Sequence, residues 1–146
     1  MKLGVICDGI SRDLSHALRV MDEFGLDYAE LQFVWDKEVG DHDASEIAQI
    51  KELLDTHNKP VSCLSRHIFA GLTTASKAGD KDHSRHMDYL KRVIEMAHQL
   101  NCPLVRIMTS KKEQILWGTN GAEHWNVAKG AWDTLPPLIA PAVDLA

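Results

Sequence analysis

Cysteine is scarce in this sequence, three in 146 residues, and no two stand in a Cys-x-x-Cys pair. That absence removes the spacing of a structural zinc site. Cys7, Cys63 and Cys102 each lie in or beside an apolar run, as free thiols of a reducing compartment do, and so read as core rather than ligands or disulfides. Positive charge is short as well: the formal net charge is −5, and the Lys and Arg residues are scattered. A nucleic-acid partner, which needs a basic face, is a poor fit. The N-terminus lacks the basic, apolar, small-residue order of a signal peptide, and no apolar run approaches a membrane span in length. Neither a Gly-x-Gly-x-x-Gly turn nor a P-loop follows the first apolar run, so the usual signs of nucleotide binding are missing. No excess of proline, glycine or glutamine marks a disordered segment. These absences leave the expectation of a soluble cytoplasmic protein without a membrane partner.

What is present is an ordinary globular composition, 45% hydrophobic and 25% charged. It suits one domain with a real core over residues 1–146. Residues 2–7 form an apolar run closed by Asp8-Gly9, which predicts a strand. Ser11 or Asp13 can cap the helix that follows. Leu14, Ala17, Leu18, Met21 and Phe24 form its stripe, and Gly25 supplies a left-handed stop. Tyr28 to Trp35 predicts a second strand, and Ser45 to His57 a second helix with Ile47, Ile50, Leu53 and Leu54 on one face. A third strand runs from Val61 to Arg66, before a long loop from Ala70 to Asp82 of the kind that often carries function. The third helix spans about His83 to Leu100, with Met87, Leu90, Val93, Ile94 and Ala97 inward and Asn101 as its stop. A fourth strand covers Leu104 to Thr109, and a last helical stretch has boundaries blurred by Pro136, Pro137 and Pro141. Four strand–helix units with apolar, non-alternating strands imply parallel strands covered by helices, an α/β fold. An open doubly wound sheet and a barrel both satisfy that pattern.

Four stretches then stand out in order: Met1-Lys2-Leu3-Gly4-Val5-Ile6, Gly25-Leu26-Asp27-Tyr28-Ala29-Glu30-Leu31, Ser62-Cys63-Leu64-Ser65-Arg66-His67, and Asn101-Cys102-Pro103-Leu104-Val105-Arg106-Ile107. Together they resemble the N-terminal half of the xylose-isomerase-like TIM barrels. That superfamily holds sugar phosphate isomerases and epimerases and also the metal-dependent apurinic endonucleases. The resemblance implies a (β/α)₈ barrel of which four of eight units are present, a half barrel. It also implies a divalent metal, Mn, Mg, Co or Zn, held by Glu, Asp and His of the fifth to eighth strands, moving protons or a hydride on a sugar-like substrate. Those strands are missing from this sequence. The chain is therefore expected to supply substrate-binding loops, to bind no metal tightly and to be inactive alone. Its expected partners are a small sugar or sugar phosphate and either a missing C-terminal half, lost by truncation, or a second copy that closes the barrel as a homodimer. The endonuclease alternative is disfavoured by the acidic charge.

Barrel sites form at the C-terminal ends of strands, which selects Asp8, the segment from Phe33 to Asp36, Arg66 with His67, and Arg106 with Thr109. His67 follows the third strand directly and suits a hydroxyl contact, acid/base work or a hydrogen bond at the rim. Asp8 fits either a substrate contact or a plain Asp-Gly turn. Trp35, Phe69 and Trp117 follow strands two, three and four, and can wall a sugar ring or pack in the core. Glu30 lies in an apolar strand where a lone carboxylate is costly, so a structural ion pair with Arg106 is expected ahead of a catalytic role. His83 and His86 read as a solvated helix start, and no residue is assigned as a metal ligand.

Overall fold

The computed structural model describes residues 1–73, 75–108 and 121–145. They fall into two compact units, one formed by Met1–Arg66 with Lys91–Arg106, the other by His67–Leu90 with Ile107–Ala146.

In the first unit, β1 (Gly4–Ile6) runs into a single 3₁₀ turn at Cys7–Gly9, and α1 follows at Leu14–Glu23. Asp13 is the N-cap: its carboxylate accepts from the amide of His16, one of the donors a helix start leaves unpaired. Leu14, Ala17, Leu18 and Met21 are buried as the three- and four-residue spacing dictates. Phe24 departs from that stripe. The helix ends at Glu23, so Phe24 falls beyond the last turn and is 75% exposed, and Gly25 takes the left-handed φ of +64°.

β2 (Tyr28–Leu31) is shorter than the apolar run that encodes it. Phe33–Val34 (β3) instead folds back antiparallel on Lys37–Glu38 (β4), pairing Phe33 with Glu38 and Val34 with Lys37. Trp35 opens the two-residue turn with φ +54°, and its amide donates to the Arg12 carbonyl at 2.7 Å. α2 (Ala44–Thr56) starts with a capping box, in which Asp43 accepts the Glu46 amide and Glu46 reaches back to the Asp43 amide. β5 spans Val61–Ser65, α3 spans Lys81–Gln99 and β6 spans Val105–Arg106.

The four main strands form a parallel sheet in the order β1-β2-β5-β6. The pairing of β2 with β5 shifts by one residue between Ala29 and Glu30, so Glu30 faces Cys63. One face of the sheet is apolar. Ala29, Leu31, Val61 and Leu64 are buried there with Leu18 and Met21 of α1 and Ile50 and Leu54 of α2. Each such Leu or Ile contributes about 1.5–3 kcal/mol by leaving water. Beyond the shift, which leaves Ser62 unpaired and resets the alternation of β5, Glu30, Cys63, Ser65 and Arg106 lie on the opposite face.

Gly40 fits only as glycine. Its φ is +88°, and a Cβ there would sit 2.7 Å from Val93 Cγ2 and 3.1 Å from the Val93 amide nitrogen. Gly40→Ala is expected to cost about 2–4 kcal/mol, adding overpacking to a backbone conformation that side chains disfavour. A urea melt in which the alanine variant keeps the parental midpoint would refute this.

In the second unit, the first half of α3 buries His83, His86 and Leu90. α4 (Gly121–Leu145) carries Pro136, Pro137 and Pro141 inside it, not at its ends. Each removes one amide donor from the helix. Leu138 and Ala142 are its buried residues with described side chains. Among the described residues, no helix is long and apolar enough to cross a membrane.

Candidate functional site

On the sheet face turned away from α1 and α2, four polar or polarisable side chains come together. The Ser65 hydroxyl donates to Glu30 Oε1, and Arg106 Nη1 lies 3.9 Å from the same oxygen. Cys63 Sγ is 3.7 Å from Ser65 Oγ. The parallel register explains the grouping, because Glu30 pairs with Cys63 and Ser65 with Arg106. Ser65 is fully buried, and Arg106 Nε is buried without a hydrogen-bond partner among the described residues. A carboxylate held by one hydroxyl and one guanidinium keeps lone pairs that can accept from a ligand hydroxyl.

At the strand ends of this unit, Asp8 lies in the 3₁₀ turn and its Oδ1 accepts the Phe33 amide at 3.3 Å. The carboxylate thus fastens the loop after β1 to the hairpin. Nearby, burial pushes the Cys7 thiol up to about 12, with Asp8 and Glu30 adding to the effect, so it stays protonated at neutral pH. All three cysteines are free, Cys7 buried and Cys63 and Cys102 partly so. Trp35 is partly buried, with its ring edge-on to His42 at 6.0 Å.

Arg66 is committed to the chain's own hairpin. It is 4% exposed, and its Nη1 donates to the Val39 carbonyl at 2.7 Å and its Nη2 to Asp41 Oδ2 at 2.8 Å. Glu38 Oε2 lies 3.5 Å from Nε. Arg92 completes the clamp, donating to the Gly40 carbonyl at 2.9 Å and to Asp41 Oδ1 at 2.7 Å. Two arginines thereby fix residues 39–41. Burial pushes the Asp41 carboxyl upward, but the hydrogen bonds from Arg66 and Arg92 outweigh it and hold the group below its ordinary value of 3.8. Amide and side-chain hydrogen bonds lower Asp43 as well, those of Glu46 and Ser45. A carboxyl depressed on folding stabilises fully above its unfolded value, and that contribution is lost as pH falls through the folded one. Urea midpoints should therefore hold steady from neutrality to about pH 5 and fall below about pH 4. An acid limb equally steep in Asp41→Asn would show that Asp41 carries none of it.

In the second unit, His67 is exposed at the head of the loop over 67–80. Phe69 is 2% exposed and has φ +64°. Its ring stacks on His83 at 5.6 Å and meets His86 edge-on at 6.0 Å. Its amide donates to His86 Nδ1 at 3.1 Å. The two histidines are therefore not a solvated helix start: they are 3% and 7% exposed. His83 Nδ1 accepts the Gly79 amide at 3.2 Å, and its Nε2 lies 2.9 Å from the Leu138 carbonyl, so that Nε2 is the donor nitrogen. The sequence did carry a signal for this, since His83 and His86 continue the register of Leu90, Val93 and Ala97. Trp117 and Thr109 lie outside the described residues.

A cleft of about 240 Å³ in the first unit, lined by Lys51, Asn58, Lys59 and Asn101, lies where β5 begins. That is the end of the strands opposite to the one barrels use for chemistry.

Residues 18–146 match the family described as xylose isomerase-like TIM barrel. No curated protein matches the chain significantly. The parallel order β1-β2-β5-β6 among the described residues and the match over most of the sequence lead to one assignment: the chain belongs to the xylose isomerase-like TIM barrel family.

Proposed function

We propose that this chain forms one wall of a sugar or sugar-phosphate isomerase or epimerase site. The observation that carries the reading is the Glu30–Ser65–Arg106 group, a polar cluster on the sheet face where barrels of this class usually stack branched apolar side chains. Polar groups there need a reason beyond packing. The Glu30 carboxylate, held by Ser65 and facing Arg106, is available to accept from a substrate hydroxyl and orient it. Within the first unit, Trp35 is a candidate apolar surface; in the second unit, exposed His67 is by itself a candidate for a substrate contact. Asp8, Arg66 and Phe69 serve by holding loops. Three free thiols suit a reducing, cytoplasmic setting.

Calorimetry with a ketopentose 5-phosphate tests this reading. Binding to the parent chain should weaken about tenfold or more in Glu30→Gln, which loses a charge-assisted contact. Equal affinity in the two proteins would remove Glu30 from the site.

The family implies a divalent metal, Mn, Mg, Co or Zn, and the described residues do not fit one. Among them no three His, Cys, Asp or Glu side chains converge. Titration of the isolated chain with Mn²⁺ should therefore show no stoichiometric binding. A tight 1:1 site would place ligands in this chain and contradict the expectation that they lie on the later strands.

A second reading, a non-catalytic half barrel closed by another copy of itself, is favoured by the sheet edges. Among the described residues β1 and β6 each pair on one side only, and Leu3 and Leu104 beside them are 48% and 62% exposed. Open apolar edges invite a further strand. Closure by a second copy predicts a dimer in sedimentation velocity, whereas closure by four further units of one polypeptide predicts that this segment alone does not dimerise.

A further inference from the structure

Arg12 differs from three other arginines of the first unit. Arg66 and Arg92 are both spent on Asp41 and nearby carbonyls, and Arg106 faces Glu30. Arg12 is exposed, and its side-chain contact is with a ring: the guanidinium carbon lies 4.8 Å from the centroid of Phe33. A guanidinium over an aromatic face keeps its in-plane N–H groups directed outward, ready to fork onto two oxygens of one anion. Both partners of the contact are fixed by the backbone. The Arg12 carbonyl accepts the Trp35 amide at 2.7 Å, and the Phe33 amide donates to Asp8. The neighbouring carboxylate of Asp13 is directed to the amide of His16 as the cap of α1. Arg12 also sits in the loop after β1, on the side where the strands end, which is the side of barrel chemistry.

We propose that Arg12, braced by Phe33, recognises a terminal oxyanion of the substrate. This deepens the sugar-site reading above and rests on it. The ligand chemistry is a phosphate monoester or a carboxylate, both of which match the fork of the guanidinium. The residue is a specificity determinant that binds an end of the substrate and takes no part in proton transfer. In a chain with net charge −5, a cation with no carboxylate partner among the described residues is also a local attraction for an anion approaching the loops.

Titrations of the full chain with ribose 5-phosphate, ribonate and ribose, followed by ¹H–¹⁵N spectra that include the arginine Nε–Hε signals, test it. At least one of the two anions should shift the Arg12 Nε–Hε signal and bind more tightly than ribose. Arg12→Gln should weaken that anion on the order of tenfold or more while leaving ribose unchanged. Arg12→Lys should recover part of the loss, since it keeps the charge without the fork. A preference for the phosphate over ribonate names the phosphate monoester, and the reverse names the carboxylate. Anion binding that is identical in Arg12→Gln, or anions that bind no better than ribose, overturns the inference. If ribose still shifts Glu30 and Ser65 in that case, the sugar wall stands and only the anion site fails. If an anion binds at Arg12 but no ligand shifts Glu30 or Ser65, the sugar wall fails and the anion site remains.

Discussion

Replacing Arg66 with leucine should lower the unfolding free energy by about 3–5 kcal/mol, the cost of breaking a buried ion pair from one side. The variant leaves the Val39 carbonyl without its donor and Asp41 with Arg92 alone. Asp41 is partly sheltered, so it can recover some hydration, but the carbonyl cannot follow it, since Val39 is fully buried. Arg66→Lys should recover less than half of the loss, because one ammonium cannot reach the carbonyl and the carboxylate in the geometry of the fork. Urea denaturation followed by circular dichroism reads both variants. A leucine variant within about 1 kcal/mol of the parent, the range of exposed ion pairs, would return Arg66 to the pool of free, substrate-contacting residues.

Phe69→Ala should be equally costly, about 3–5 kcal/mol, because it empties a buried aromatic site. The ring packs between two histidines whose nitrogens bind the Gly79 and Phe69 amides, so the cavity also loosens the loop over 67–80. Phe69→Leu keeps most of the volume and should cost about half as much or less. A ring that served chiefly as a wall for a sugar would behave differently: its removal would leave stability within about 0.5 kcal/mol, as surface substitutions do, and change binding alone.

Much of the fold can be read from local sequence. The apolar, non-alternating strands announce parallel pairing, and Asp13, Asp43 with Glu46, Gly25 and Asn101 mark helix ends by chemistry that needs no tertiary information. The hairpin after β2 is harder to see. Phe33-Val34-Trp35 continues an apolar run, and nothing short of the clamp at residues 39–41 shows that the chain turns back. Arg66 is illegible for a related reason: its partners lie about 25 residues upstream, and Arg-His after a strand looks the same whether it serves a substrate or a loop. His83 and His86 mislead because polar residues at a helix start suggest solvent, even when their spacing matches the apolar stripe. Glu30 and Arg106 can be named together from their strand positions, whereas Ser65 between them depends on the register shift at Glu30, which no local pattern encodes.

Two ends of the strands in the first unit compete to meet the substrate. Mapping backbone amide shifts during titration with a ketopentose 5-phosphate tests this most directly. The result expected is a set of perturbations at Glu30, Ser65 and Arg106, with the amides of Lys51, Asn58 and Asn101 unmoved. Shifts confined to those last three, around the cleft at the other end of the strands, would contradict it.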